Sequence, residues 1–431
     1  MKTVAAFCSL LSFPLVLALA LTLALTLALT QCQAAAQSTI EPGSQALVNA
    51  LWQAESEAEL QQARDRLLAA ASDVETLYQW LQHGPAYSNS VPRGQLQRVR
   101  ISADGTEFPY VVLVPQNYEA SRPIPLEFNL HGGVNRPKPA AGDAWWRNGY
   151  DHLRDPERIV VLPAGWNEAF WWFDNQAENL PAILDVLKQE YNIDENRVTL
   201  SGVSDGGTGT YFFAFHQSTE WAAFLPFIGS PGVLSNPSGQ AVWELFYDNL
   251  RGKPLYIVNG ENDPLYPASR VQPYIKRMAD AKVQHTFRVI EDGRHDTVWL
   301  PAEKPALARF RLENPRDSLP DSLGWISNRT NAYNRNHWIR IDSRNSPGRP
   351  GVLEVSREGN RVLVNARYTD AFTLLLSPQE FDFSQPVTVV VNGEIKIDQR
   401  IVQSMDTLLH WAAQDKDRSM LFTAELSIAL P

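Results

Sequence analysis

A β-rich run, Arg197-Val198-Thr199-Leu200, leads into Ser201-Gly202-Val203-Ser204-Asp205-Gly206-Gly207 and then into a series able to start a helix. Strand, sharp turn and helix together suit G-x-S-x-G, a turn that holds a serine in a strained conformation at a strand tip. Glycine is required at Gly202 and Gly206, where a Cβ would collide with the neighbouring strand or helix. A strained, exposed hydroxyl makes Ser204 a candidate nucleophile. The same five-residue pattern also occurs in Gly/Ser-rich loops, so the flanking strand and helix carry the argument.

The surrounding chain reads as alternating β and α. Segments 96–101 and 108–114 are β-rich and flank Asp104-Gly105, a hairpin signal. Further runs follow at 124–130, 159–162, 197–200, 224–228, 255–258 and 286–290. Several are continuously apolar, as expected for strands covered on both faces of a parallel sheet. Helical patterns lie between them, at 181–191 and at Val271, Ile275 and Met278. A mostly parallel sheet flanked by helices is the implied α/β architecture.

Catalytic groups in such sheets sit beyond the carboxyl ends of strands. After 124–130 comes His131-Gly132-Gly133, a turn whose glycines let backbone N–H groups point into a site. The N–H groups of Gly133 and Asp205 are the expected oxyanion donors, and His131 is read as a structural pin for the loop. After 255–258 comes Asn259-Gly260-Glu261-Asn262-Asp263-Pro264, where Asp263 is the expected acid and Glu261 the alternative. After 286–290 comes Glu291-Asp292-Gly293-Arg294-His295, which puts His295 where a general base belongs. Among eight histidines, His216 lies in the helix after the serine, His337 and His410 lie outside the sheet, and His83 and His152 follow no strand end. The order Ser204…Asp263…His295 leaves room for a β-α-β passage in each interval.

By these features residues 94–312 resemble the catalytic domain of the α/β hydrolases. Within that superfamily the segment is similar to secreted feruloyl-esterase and polyhydroxyalkanoate-depolymerase enzymes, and to the catalytic domain of prolyl oligopeptidases. The resemblance implies acyl transfer to water through Ser204, His295 and Asp263, with an ester as substrate and no metal or organic cofactor. One departure is Asp205, since many relatives carry an apolar, aromatic or amide residue there. A carboxylate facing the cleft would disfavour anionic substrates. Trp166, Trp171 and Trp172 follow the 159–162 strand, and Trp145-Trp146 follow the HGG turn. They are expected either to stack on a sugar or aryl group or to pack the loops onto the domain. The rival activity is a peptidase of the prolyl-oligopeptidase type, whose usual large propeller is missing. A rival of another class is a non-catalytic hydrolase-fold binding protein, which would have no need of all three residues.

The flanks complete the division. Residues 1–36 read as a signal peptide, with Lys2, a long apolar run over 3–30 and Ala34-Ala35-Ala36 as the cleavage site. An uncleaved anchor and lipidation at Cys32 are the alternatives. Cys8 and Cys32 are the two cysteines of the 431-residue chain, so the exported protein carries no disulfide. It is expected to be secreted or periplasmic and free of the membrane after cleavage. Residues 37–92 form a helical arm, with Ser56-Glu57-Ala58-Glu59 and Ser72-Asp73-Val74-Glu75 matching the capping box and the arm packing on the next domain. The hydrolase domain spans 93–315 and a polar, proline-containing linker 316–335. A β-sandwich-like accessory domain spans 336–431, with Asn392-Gly393 as a hairpin turn. A formal charge of −10 argues against a nucleic-acid partner.

Overall fold

The computed structural model describes residues 40–140, 142–147 and 153–430. The signal-peptide reading, both cysteines and His152 lie outside the described residues. No described helix is long and apolar enough to cross a membrane.

The chain begins with helices α1 (Pro42–Gln53), α2 (Glu57–Ala70) and α3 (Val74–His83). Ser56 and Glu59 form the expected capping box on α2. At α3 the cap is Asp73 and not Ser72: the Asp73 carboxylate accepts the Thr76 N–H at 2.8 Å. The ionised acceptor one residue later takes the first-turn donor that Ser72 would have taken. The helix stops at Gly84, whose φ of +78° suits a residue without a Cβ.

The strands of the central sheet are β1 (Gly94–Ile101), β2 (Glu107–Val114), β3 (Ile124–Leu130), β4 (Ile159–Pro163), β5 (Ile193–Val203), β6 (Ala223–Phe227), β7 (Leu255–Gly260) and β8 (His285–Ile290). Their spatial order is β1-β2-β4-β3-β5-β6-β7-β8. β1 and β2 are antiparallel, β2 joins β4 antiparallel, and the pairs from β4 to β8 are parallel. Helices α4 (Asp174–Glu190), α5 (Asp205–His216), α6 (Ala268–Asp280) and α7 (Leu300–Glu313) fill the crossovers and the end of this unit. β4, β6 and β7 are buried throughout, which is why they read as continuous apolar runs. This is the α/β-hydrolase architecture expected from the sequence, with β5 near the middle.

The remaining strands are β9 (Ser322–Ser327), β10 (Arg335–Asn336), β11 (Ile339–Ser343), β12 (Gly351–Glu358), β13 (Arg361–Arg367), β14 (Ala371–Leu376), β15 (Val387–Val391), β16 (Glu394–Gln399) and β17 (Ala424–Ala429), with helix α8 (Met405–Asp415) before the last. They form a four-stranded sheet, β10-β11-β14-β17, and a five-stranded sheet, β16-β15-β13-β12-β9. Trp325, Trp338, Leu353, Phe372 and Phe422 are among the residues in the core they share. Asn392 and Gly393 both adopt positive φ, as a two-residue hairpin between β15 and β16 requires.

Two features depart from the sequence reading. The segment 316–335 holds β9, because Trp325 supplies an apolar residue that is 1% exposed and pairs the strand to β12. It also holds Arg316, whose guanidinium bonds the Asp417 carboxylate at 2.6 Å, the Ser419 hydroxyl and the carbonyl of Thr219. The helical arm, in turn, shares its core with α8: Leu51, Leu67, Leu77 and Leu81 cluster with Leu408, Leu409 and Ala412. The arm therefore packs on the C-terminal region, which offers it the apolar face of α8.

Arg316 and Asp417 are 3% and 2% exposed in their side chains. Removing one member of such a pair leaves a buried charge uncompensated. Arg316→Met is expected to cost about 3–5 kcal/mol. Urea unfolding of the variant checks this; a change below about 1 kcal/mol would contradict it.

Candidate active site

Ser204 stands between β5 and α5 with φ +58° and ψ −115°, a region that non-glycine residues adopt only under strain. Its N–H donates to the Phe227 carbonyl at 2.9 Å, which anchors the turn to β6. A Cβ on Gly202 would run into the backbone of Gly206, and one on Gly206 into the carbonyl of Leu130. The two glycines let β3, the turn and the start of α5 approach closely. The serine is thus held at the tip of β5 by backbone alone.

The neighbouring strand ends bring the other candidates to it. The Ser204 hydroxyl lies 2.8 Å from His295 Nε2, and His295 Nδ1 lies 2.7 Å from Asp263 Oδ2. Asp263 is 2% exposed, and its second oxygen accepts the N–H groups of Leu265 and Tyr266 at 2.8 and 2.9 Å. With both oxygens engaged, the carboxylate has one orientation. The chain Ser204 O–H, His295, Asp263 needs the tautomer that protonates Nδ1 and leaves Nε2 as acceptor. Glu261 does not reach the histidine; its carboxylate accepts the N–H of Asp292 at 3.2 Å and is exposed.

The HGG turn abuts the serine from β3. A Cβ on Gly132 would lie 2.8 Å from the Ser204 Cβ, and Gly133 has φ +68°. His131 is buried and holds the turn from inside. Its Nε2 accepts the Gly165 N–H at 2.9 Å, and its Nδ1–H donates to the Gly132 carbonyl at 2.8 Å. Burial lowers its pKa from 6.5 to about 4. A histidine whose folded pKa is depressed contributes stability that is full above pH 6.5 and is lost as pH falls to about 4. The expected loss attributable to His131 is on the order of 3 kcal/mol. Urea titrations across this window check it by comparing the wild type with His131→Asn, whose pH slope is expected to be shallower. Equal slopes would refute the assignment.

Sequence reading missed one residue, Tyr266, and the bond that the Asp205 side chain makes. The half-buried Asp205 carboxylate accepts the Val134 N–H through Oδ2 at 3.0 Å and ties the HGG turn to the serine turn. Tyr266 sets its ring edge against His295, with centroids 5.8 Å apart. The only signal for it was its place just after the acid, in Asp263-Pro264-Leu265-Tyr266.

The tryptophans expected as substrate contacts are core residues. Trp166, Trp171 and Trp172 are 2%, 0% and 3% exposed. Trp171 donates its indole N–H to the His131 carbonyl at 2.9 Å, and Trp166 packs on Phe108. Burying two ring faces offsets the cost of ordering a long loop, so these side chains present no stacking face to a ligand. Trp145 keeps partial exposure beside His131 and under the Arg136 guanidinium. Among the described residues no group of three or more His, Cys, Asp or Glu is arranged to hold a metal ion.

Residues 95–297 match the dienelactone hydrolase family. The chain is 31% identical over 224 residues to the bifunctional acetylxylan esterase/xylanase XynS20E of Neocallimastix patriciarum, a match covering 49% of this chain and 31% of that one. It is 27% identical over 167 residues to feruloyl esterase C of Emericella nidulans, covering 37% and 56%. This chain thus spans less than two thirds of either relative. Among solved structures, a thermostable esterase is similar at 22% identity and a TM-score of 0.41, covering 52% of this chain and 63% of that one.

Proposed function

We propose that the protein, whose residues 95–297 match the dienelactone hydrolase family, is a secreted serine esterase that removes acyl groups, acetyl or feruloyl, from a polysaccharide of the xylan type. The observation that carries the reading is the hydrogen-bond chain from Ser204 through His295 to Asp263. The acetylxylan and feruloyl esterase relatives support the substrate class, and the leader at residues 1–36 supports export.

In the proposed reaction Asp263 holds His295 with Nδ1–H toward the carboxylate and stabilises the imidazolium that forms. His295 Nε2 takes the Ser204 proton as the oxygen attacks the ester carbonyl. The oxyanion rests on the Gly133 and Asp205 N–H groups, the first positioned by the Asp205 carboxylate on Val134. Imidazolium returns its proton to the leaving alcohol, leaving an acyl-Ser204. Water, deprotonated by His295, then releases the carboxylic acid and restores the serine.

The experiment is labelling with a fluorophosphonate probe, followed by assays on acetylated xylan, a feruloylated oligosaccharide and a peptide amide. Labelling with turnover of the esters is expected. A wild-type protein that is neither labelled nor active on any ester would end the proposal, and turnover of amides alone would turn it toward a peptidase.

A further inference from the structure

A cavity of about 550 Å³ lies between α4 and the C-terminal region. One wall is a single face of α4: Asp174, Ala177, Glu178, Pro181, Asp185 and Lys188 follow a helical repeat. Fourteen helical steps make the wall about 21 Å long. The opposite wall is the loop at 331–335 and the end of α8 at 414–417. α4 starts after β4, so its Asp174 end lies toward the carboxyl ends of the parallel strands, as Ser204 does. His216, the last residue of α5, lines the floor, roughly 18 Å of helix away from the serine.

The floor carries unmet hydrogen-bonding capacity. His216 Nε2, Gln217 Oε1 and Glu220 Oε2 are buried atoms with no partner, and all three residues line this one cavity. His216 is 5% exposed, and its other ring nitrogen is engaged by the Glu244 backbone, which leaves Nε2 as an acceptor. His216 Nε2 and Gln217 Oε1 are therefore acceptors that need donors, while burial raises the Glu220 pKa and lets its carboxyl donate or accept. The arginines that reach the cavity are already committed: Arg316 to Asp417, Arg329 to Asp174 and Arg335 to Asp415. An anion would find no uncommitted guanidinium, and the one ammonium in the lining, Lys188, lies among the Asp185, Glu220 and Asp417 carboxylates, whereas hydroxyl groups would satisfy the acceptors.

We propose that this groove is a second binding site for an extended, neutral oligosaccharide, which anchors the polymer whose ester is cut at Ser204. The inference rests on the carbohydrate-ester reading above. Its length, its polar walls without uncommitted arginines and its orphaned polar atoms fit a chain of neutral sugars.

The test uses the full chain and two groove variants outside the proposed catalytic machinery, Asn331→Trp, which fills the groove from an exposed position, and Gln217→Leu, which deletes one acceptor. Xylohexaose is titrated calorimetrically into Ser204→Ala, alone and combined with each groove substitution. KM is measured on acetylated xylan and on p-nitrophenyl acetate. Binding that the groove substitutions weaken, with KM for the polymer rising about tenfold (about 1.4 kcal/mol) and KM for the small ester unchanged, is the expected result. No xylohexaose binding, binding that survives both substitutions, or an equal change in both KM values would overturn the groove and leave it a water-filled crevice. Loss of the carbohydrate-ester reading is seen separately, as turnover of p-nitrophenyl acetate without turnover of acetylated xylan.

Discussion

Ser204→Ala is expected to lower kcat on acetyl and feruloyl esters by about 10⁴–10⁶-fold while leaving the melting temperature near that of the wild type. The substitution deletes the attacking atom, and the serine's place in the fold is held by backbone bonds such as its N–H to Phe227. His295→Ala is expected to match it, and Ser204→Ala/His295→Ala is expected to be no worse than either, because the two act as one unit. Asp263→Asn keeps the shape but favours the wrong imidazole tautomer, for an expected loss of about 10⁴-fold. Glu261→Ala is expected to retain activity, since its carboxylate engages Asp292 and not the histidine. Single-turnover assays with thermal melts check the series. An inactive Glu261→Ala beside an active Asp263→Asn would reverse the assignment of the acid.

Gly206→Ala is expected to destabilise the protein by at least about 3 kcal/mol and to impair whatever folds. The new methyl would meet the carbonyl oxygens of Leu130 and His131. Both belong to the backbone entering the HGG turn, so relief requires moving the turn that holds Gly133. The melting temperature should fall by roughly 6 °C or more, and the folded fraction should lose about 10²–10³ in kcat with the displaced oxyanion donor. Gly43→Ala is the control: nothing lies within 4 Å of its added Cβ, and it sits in the first turn of α1. Its stability should be unchanged or slightly raised. A Gly206→Ala protein as stable and active as Gly43→Ala would contradict the packing described for the elbow.

Much of the site was legible because its residues are tied to strand ends. A G-x-S-x-G after an apolar run, and acid and histidine loops after later strands, are local patterns whose meaning survives folding. Where two carboxylates shared a loop, local pattern left both open. Only the side-chain directions separate them: Asp263 points inward at 2% exposure, while Glu261 points out toward Asp292. The tryptophans of the 166–172 loop show the opposite case. Aromatic residues near a strand end serve a core or a ligand equally well, and the difference is which neighbour covers their faces. Here Trp166 and Trp171 meet Phe108 and His131, which are distant in sequence, and Trp172 meets Phe170.

The sequence by itself determined the elements that depend on near neighbours: the alternating strands and helices, the turn at Ser204, the stop at Gly84 and the hairpin at Asn392-Gly393. Backbone sterics and hydrophobic period set these within a dozen residues. Tertiary structure alone decided what depends on partners remote in the chain. It turned Asp205 onto Val134, seated the arm on α8, drew 322–327 into a sheet beside β12 and enclosed the groove along α4. The physical reason is that burial and hydrogen-bond satisfaction are summed over the whole fold, so a side chain's role follows from what finally surrounds it.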